Sequence, residues 1–168
     1  MPDITITPEM TMEQILQVAP AAQRALFQRY HVGGCSSCGF QPSDTLAQVA
    51  KDHNILDIKD MVSTIVQAQA IDGKVQVEPS QVRAWLLAGD EFSFIDVRTP
   101  EESEGQAEVT EAERLDYNDA GRYMDLDKDR RIVFLCQDGG RSLDVASYFI
   151  GHKFTNVWCV EGGVVSWS

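Results

Sequence analysis

The second half of the chain alternates short apolar runs with amphipathic stretches, and this alternation limits what it can fold into. VQV at 75–77 reads as a strand, SQVRAWLLAG as a helix closed by glycine, and FSFIDV at 92–97 as a strand. RIVFLC reads as a strand, RSLDVASYFIGH as a helix stopped near Gly151, and NVWCV at 156–160 as a further strand. Strands that alternate with helices pack as an α/β structure with a mainly parallel sheet.

The first half lacks this pattern and reads as helical throughout. Thr11 with Gln14 three residues on predicts a capping box, opening a short helix through Val18. Pro20 suits the first turn of a second helix. Ala22, Leu26 and Tyr30, with Ala21 and Ala25 alongside, give that helix one apolar face, and Gly33-Gly34 is expected to end it. Ser43 or Asp44 is expected to cap a third helix through about His53. Asp57 with Asp60 opens a fourth, with Ile58, Met61, Val62, Ile65 and Val66 as its apolar stripe. The Asp-Gly pair in IDGK at 71–74 is a turn signal. It places a boundary near residue 73, between a small all-α domain at 1–73 and an α/β domain at 74–168.

Charge narrows the function classes. The net charge is −12, with 8 acids against 5 bases in residues 1–74 and 18 against 9 in residues 75–168. Nucleic acid and anionic membranes are poor partners for such a surface, since both require a basic face. The longest apolar runs fall well short of the roughly 18 residues that span a bilayer. MPDITITPEM lacks the basic and apolar regions of a signal peptide, and four cysteines are too few for the framework of a small secreted domain. Reduced thiols in a cytoplasmic protein are expected.

The stretch richest in chemistry is RIVFL followed by CQDGGRS at 136–142. In open α/β sheets, reactive groups collect outside the carboxyl ends of the strands. Cys136 stands at such an end, with a helix expected to begin near Ser142. Gly139 and Gly140 let the intervening backbone curl so that its amides point inward, and the helix N-terminus adds partial positive charge. Such a nest favours a thiolate, a persulfide anion or the oxyanion of a bound substrate. The plainer alternative is a buried cysteine that closes a core strand.

CQDGGRS is similar to the active-site loop of rhodanese-type sulfurtransferases, with Cys, Gly three on, Arg five on, then Ser. FSFIDVRTPEE at 92–102 resembles that family's Asp-Val-Arg-x-Pro-x-Glu segment, and GHKFTNVWCVEGGVVSW at 151–167 resembles its C-terminal signature. The resemblance covers about residues 75–168. It implies a rhodanese-like fold and sulfur transfer through Cys136, with Gln137, Asp138, Gly139, Gly140, Arg141 and Ser142 as the substrate loop and Asp96 and Arg98 as its braces. Four residues separate Cys136 from Arg141. The related phosphatase and arsenate-reductase loops are one residue longer, so a sulfur substrate is preferred over phosphate. The chain departs from the family at EGQAEVTEAE, 104–113, where Gly-His-Ile-Pro-Gly-Ala is common. It also carries Asp138 where many members have a neutral or basic residue, and that carboxylate opposes a doubly negative substrate such as thiosulfate.

His31, Cys35 and Cys38 form H-x3-C-x2-C. The cysteine pair suits a redox or persulfide couple, half a zinc site, or an inert pair. A closed zinc site needs four ligands, and His53 is the one further candidate, so no metal is expected. GGCSSCGF resembles the hybrid-cluster-protein-associated redox disulfide family over about residues 3–70, which implies a redox pair. Cys159 reads as core and His152 as surface.

Taken together, the sequence predicts a sulfurtransferase that moves sulfane sulfur through a Cys136 persulfide from a small-molecule or protein-bound donor to a thiol acceptor, without a cofactor. Two other readings stand beside it: a non-catalytic sulfur-carrier or regulatory module, and a thiol–disulfide relay centred on Cys35 and Cys38.

Overall fold

The computed structural model describes residues 3–33 and 39–167. The chain divides into two compact units, Met1–Lys74 and Val75–Ser168. Among the described residues, no helix is long and apolar enough to cross a membrane.

The first unit is built from α1 (Met12–Val18), α2 (Ala22–Tyr30), α3 (Leu46–Asp52) and α4 (Ile58–Val75). The capping box of α1 forms: Thr11 Oγ1 accepts the Gln14 N–H at 3.3 Å and Gln14 Oε1 accepts the Thr11 N–H at 3.0 Å. Asp57 opens α4 by accepting the Asp60 N–H at 3.0 Å. Leu26 of α2 and Met61 and Ile65 of α4 are buried in one core with Met12, Ile15 and Leu46, while Ile58, Val62 and Val66 pack against it.

Several local expectations give way here. Pro20 precedes α2 by two residues rather than sitting in its first turn. That helix ends at His31, which itself takes the left-handed conformation at φ +58°, ahead of the glycines. Thr45 caps α3, accepting the Gln48 N–H at 3.2 Å, while the Asp44 carboxylate accepts the Gln41 N–H at 2.7 Å instead. Asp72-Gly73 is not a turn, because α4 runs through it to Val75. Asp72 is buried and ion-paired with Arg24. That long-range partner outweighs the weak local preference of the dipeptide.

The second unit runs β1 (Gln76–Val77), α5 (Pro79–Ala88), β2 (Ser93–Asp96), α6 (Pro100–Ser103), β3 (Glu113–Arg114), a 3₁₀ helix (Ala120–Asp125), β4 (Ile132–Leu135), α7 (Gly140–Gly151), β5 (Val157–Val160) and α8 (Gly163–Trp167). The five strands lie in the order β1-β5-β4-β2-β3, and every pairing is parallel. Strand β4 is buried on both faces, which explains why its sequence is apolar without alternation. Its two-residue period sends Ile132, Phe134 and Cys136 into a core with Ala146 and Phe149 of α7. Val133 and Leu135 enter a second core with Val82 of α5 and Val164 and Trp167 of α8. Each such side chain contributes about 1.5–3 kcal/mol by leaving water. With β4 anchored through both faces, the residue following it has a fixed position.

Candidate active site

That residue is Cys136. It is 2% exposed. After it the chain turns through Gln137–Gly139 and enters α7 at Gly140, two residues earlier than the sequence suggests. Gly139 takes φ +97°, a conformation that glycine adopts without strain. The turn brings two backbone amides onto the sulfur: Gly139 N–H lies 3.1 Å and Ser142 N–H 3.3 Å from Sγ. Ser142 Oγ lies 3.4 Å from the same sulfur, accepting from the thiol, and donates to the Gly139 carbonyl at 3.0 Å. A hydroxyl can rotate its hydrogen. Ser142 is therefore able to accept from a thiol and to donate to an anion at the same spot.

The loop is braced from behind by the start of α8. Val164 N–H donates to the Cys136 carbonyl at 2.8 Å and Val165 N–H to that of Gln137 at 3.2 Å. This close approach requires Gly163: a Cβ there would lie 2.3 Å from the Cys136 carbonyl oxygen and 2.7 Å from the Gln137 carbonyl carbon. The Gly-Gly of the C-terminal signature thus has a physical reason that its sequence alone does not reveal. Cys159, one strand over and buried, donates its S–H to the Ser142 carbonyl at 3.1 Å. It is a core residue, as expected, and it also touches the loop helix.

On the other side lies a buried ion pair. Arg98 and Asp96 are each 2% exposed. The guanidinium grips the carboxylate with Nε at 3.0 Å from Oδ1 and Nη2 at 2.8 Å from Oδ2, the geometry in which arginine is strongest. Its remaining donors reach the Ala107 carbonyl at 3.1 Å and Gln137 Oε1 at 3.3 Å. Arg98 is held charged above its usual range, first by the hydrogen bond to Asp96 and further by the Asp96 charge, against the cost of burial. Asp96 and Arg98 thereby tie strand β2 to the loop and to the 104–113 segment. Gln137 Nε2 adds a 3.4 Å contact to Gln106 Oε1, so this departure from the family pattern still meets the site.

The rim carries charge. Arg141 Nη1 lies 2.6 Å from Glu102 Oε2, and Glu102 in turn accepts the Thr99 N–H at 2.7 Å in the capping box of α6. Asp138 Oδ1 accepts the Gly140 N–H at 3.0 Å. Tyr117 donates its hydroxyl to the Val97 carbonyl. Glu102, Gln106, Gly163 and Tyr117 are absent from the sequence-derived site, because each reaches the loop or its supports across a long stretch of chain. All seven residues from Cys136 to Ser142 and both braces are brought together. Cys35 and Cys38 lie outside the described residues. His31 is exposed, and His53 Nε2 is 3.4 Å from the Gly39 carbonyl. Among the described residues, no cluster of three or more His, Cys, Asp or Glu could hold a metal ion.

The chain is similar to known proteins over its second unit. The family model of the rhodanese-like domain matches residues 78–168. YtwF of Bacillus subtilis, provisionally named a sulfurtransferase, is 34% identical over 94 residues, which cover 55% of this chain and 88% of that protein. The thiosulfate sulfurtransferase GlpE of Pseudomonas syringae is 28% identical over 93 residues, covering 55% and 85%. The crystal structure of a rhodanese-like domain protein from Staphylococcus aureus matches with a TM-score of 0.47 at 22% identity, covering 55% of this chain and 90% of that one.

Proposed function

Because the chain belongs to the rhodanese-like domain family through residues 78–168, we propose that it is a sulfurtransferase working through a persulfide on Cys136. The observation that carries this reading is the convergence of the Gly139 and Ser142 amides on a single strand-end sulfur. In the first half-reaction the Cys136 thiolate attacks the outer sulfur of a donor R–S–SH. A sulfur–sulfur bond forms to Cys136, the donor's own S–S bond breaks, and R–S⁻ departs. In the second, an acceptor thiolate attacks the outer sulfur and leaves with it, restoring the Cys136 thiolate. The thiolate that attacks, and the persulfide once it gives up its proton, each place negative charge within the loop. Fixed backbone dipoles stabilise it there without reorganising, as in an oxyanion hole.

The acceptor is a thiol. Cys35 and Cys38 share the chain with Cys136, and tethering raises a partner group to an effective concentration of about a millimolar where contact is possible. One of that pair taking the sulfur, and the other displacing it as sulfide by closing a disulfide, is a balanced route. It is tested by following sulfide release from sulfur-loaded protein without external thiol, in the parent and in Cys35→Ser/Cys38→Ser. Equal release would remove the pair as acceptor.

The main reading is tested by turnover of a sulfane donor with an external thiol. Cys136→Ser should lose transfer while its circular dichroism stays that of the parent. Transfer at the parent rate would refute the assignment.

A further inference from the structure

The two groups at the mouth of the loop best suited to bind an anion are already engaged by carboxylates of the same chain. Arg141, the loop's exposed guanidinium, is paired with Glu102 at 2.6 Å. The Gly140 amide, at the first turn of α7, is taken by Asp138 Oδ1 at 3.0 Å. The deeper cation, Arg98, is matched by Asp96 at 2.8 Å. Glu102 is itself fixed, since the same oxygen accepts the Thr99 N–H. Asp138 is satisfied by a backbone amide that bears no formal charge, so its own charge persists at the entrance. Two carboxylates therefore stand on the Cys136 loop and at its rim, and they occupy the Gly140 amide and the Arg141 guanidinium.

We infer that Glu102 and Asp138 select the donor, favouring a persulfide carried on an alkyl thiol and disfavouring thiosulfate. The inference rests on the sulfurtransferase reading and specifies its substrate class. The two donors differ at the atom bonded to the transferred sulfur. Thiosulfate places a sulfonate there: Cys136–S⁻ + S–SO₃²⁻ gives Cys136–S–S⁻ + SO₃²⁻, and the dianionic charge must pass both carboxylates on arrival and departure. An alkyl persulfide places a CH₂-bearing sulfur there: Cys136–S⁻ + HS–S–R gives Cys136–S–SH + R–S⁻. Its other charges lie several bonds away.

The experiment compares full-length parent with Glu102→Gln, Asp138→Asn and the double variant. Sulfur loading of Cys136 from thiosulfate and from glutathione persulfide is followed by mass spectrometry, and the ratio of the two rate constants is the readout. Each single change should shift the ratio about fivefold toward thiosulfate, the effect of one solvent-exposed charge. The shift should narrow as added salt rises past about 0.5 M. General damage to the loop would slow both donors and leave the ratio unmoved. A ratio that stays constant across all four proteins overturns the inference while leaving the sulfurtransferase reading intact. A second arm needs no turnover: inert sulfate is titrated as a protectant of Cys136 against iodoacetamide. The variants should be half-protected at about fivefold lower sulfate than the parent. Equal protection overturns the inference even if neither donor loads Cys136, an outcome that would count against the sulfurtransferase reading separately.

Discussion

The two ends of the parallel sheet differ in a way that separates the candidate site from a charged surface. At the amino ends of β2, β4 and β5, Asp90, Glu91, Asp127, Asp129, Arg130, Arg131 and Asn156 line an open groove. Its charges serve the surface: Arg131 pairs with Asp90 at 3.1 Å and Arg130 Nε donates to Ser93 Oγ at 2.9 Å. At the carboxyl ends the ionisable groups include a buried pair, Asp96 and Arg98, and backbone donors converge on a buried sulfur. A parallel sheet accounts for the asymmetry. Helices follow strands at the carboxyl end, so their unsatisfied N–H groups collect there. What marks the candidate site is donors aimed at one sulfur; a groove and a crowd of charges do not.

The sharpest contrast between the two ends is in activity. Cys136→Ser should reduce sulfur transfer by about a thousandfold or more, as expected when a covalent nucleophile is removed. Asp127→Asn and Asp129→Asn in the amino-end groove should leave the rate within about twofold, since both are exposed. A strong loss from the groove variants would break the comparison.

Next in size is the buried pair. Arg98→Met leaves the Asp96 carboxylate buried without its partner, and unfolding in denaturant should show a loss of about 3–5 kcal/mol. The matching change at the other end, Arg131→Gln, breaks a partly exposed pair and should cost about 1 kcal/mol or less. Similar losses would mean that burial does not distinguish the two ends.

Two glycines with positive φ make a finer test. Gly163, at φ +62°, is pressed against the backbone of the Cys136 loop, whereas Gly89, at φ +76°, ends α5 at the amino end with nothing near its missing Cβ. Gly89→Ala should cost only the local strain, about 1 kcal/mol, and leave sulfur transfer unchanged. Gly163→Ala should cost about 2–4 kcal/mol and slow transfer, because the loop backbone must retreat to admit a methyl group. Equal thermal shifts in the two variants would show that α8 does not shape the loop.

Much of the α/β unit is legible in the sequence, because its apolar runs commit to a period. FSFID, RIVFL and VWCV are buried runs, and the helices between them carry clear stripes. What is missed is short and polar. Strand β3 is Glu113–Arg114, two exposed charged residues with no pattern of their own, and it exists because the edge of β2 offers partners at Ile95 and Asp96. Helix α6 has four residues and depends on the Thr99–Glu102 capping box. The Asp72-Gly73 pair misleads for the opposite reason: a local signal is overruled by an ion pair to Arg24, 48 residues away. The seven loop residues were readable because strand, glycines and helix start are contiguous. Glu102, which holds Arg141 from 39 residues away, was not, since only the folded sheet brings β2 and β4 side by side.

The central claim is that Cys136 itself receives the sulfur. It is tested most directly by incubating the full chain with glutathione persulfide, digesting it under non-reducing conditions, and locating the added sulfur by peptide mass spectrometry. One extra sulfur on the peptide bearing Cys136, absent in Cys136→Ser, is the predicted result. An unmodified Cys136 peptide in a protein that still transfers sulfur, or equal loading of Cys136→Ser at another cysteine, would contradict it.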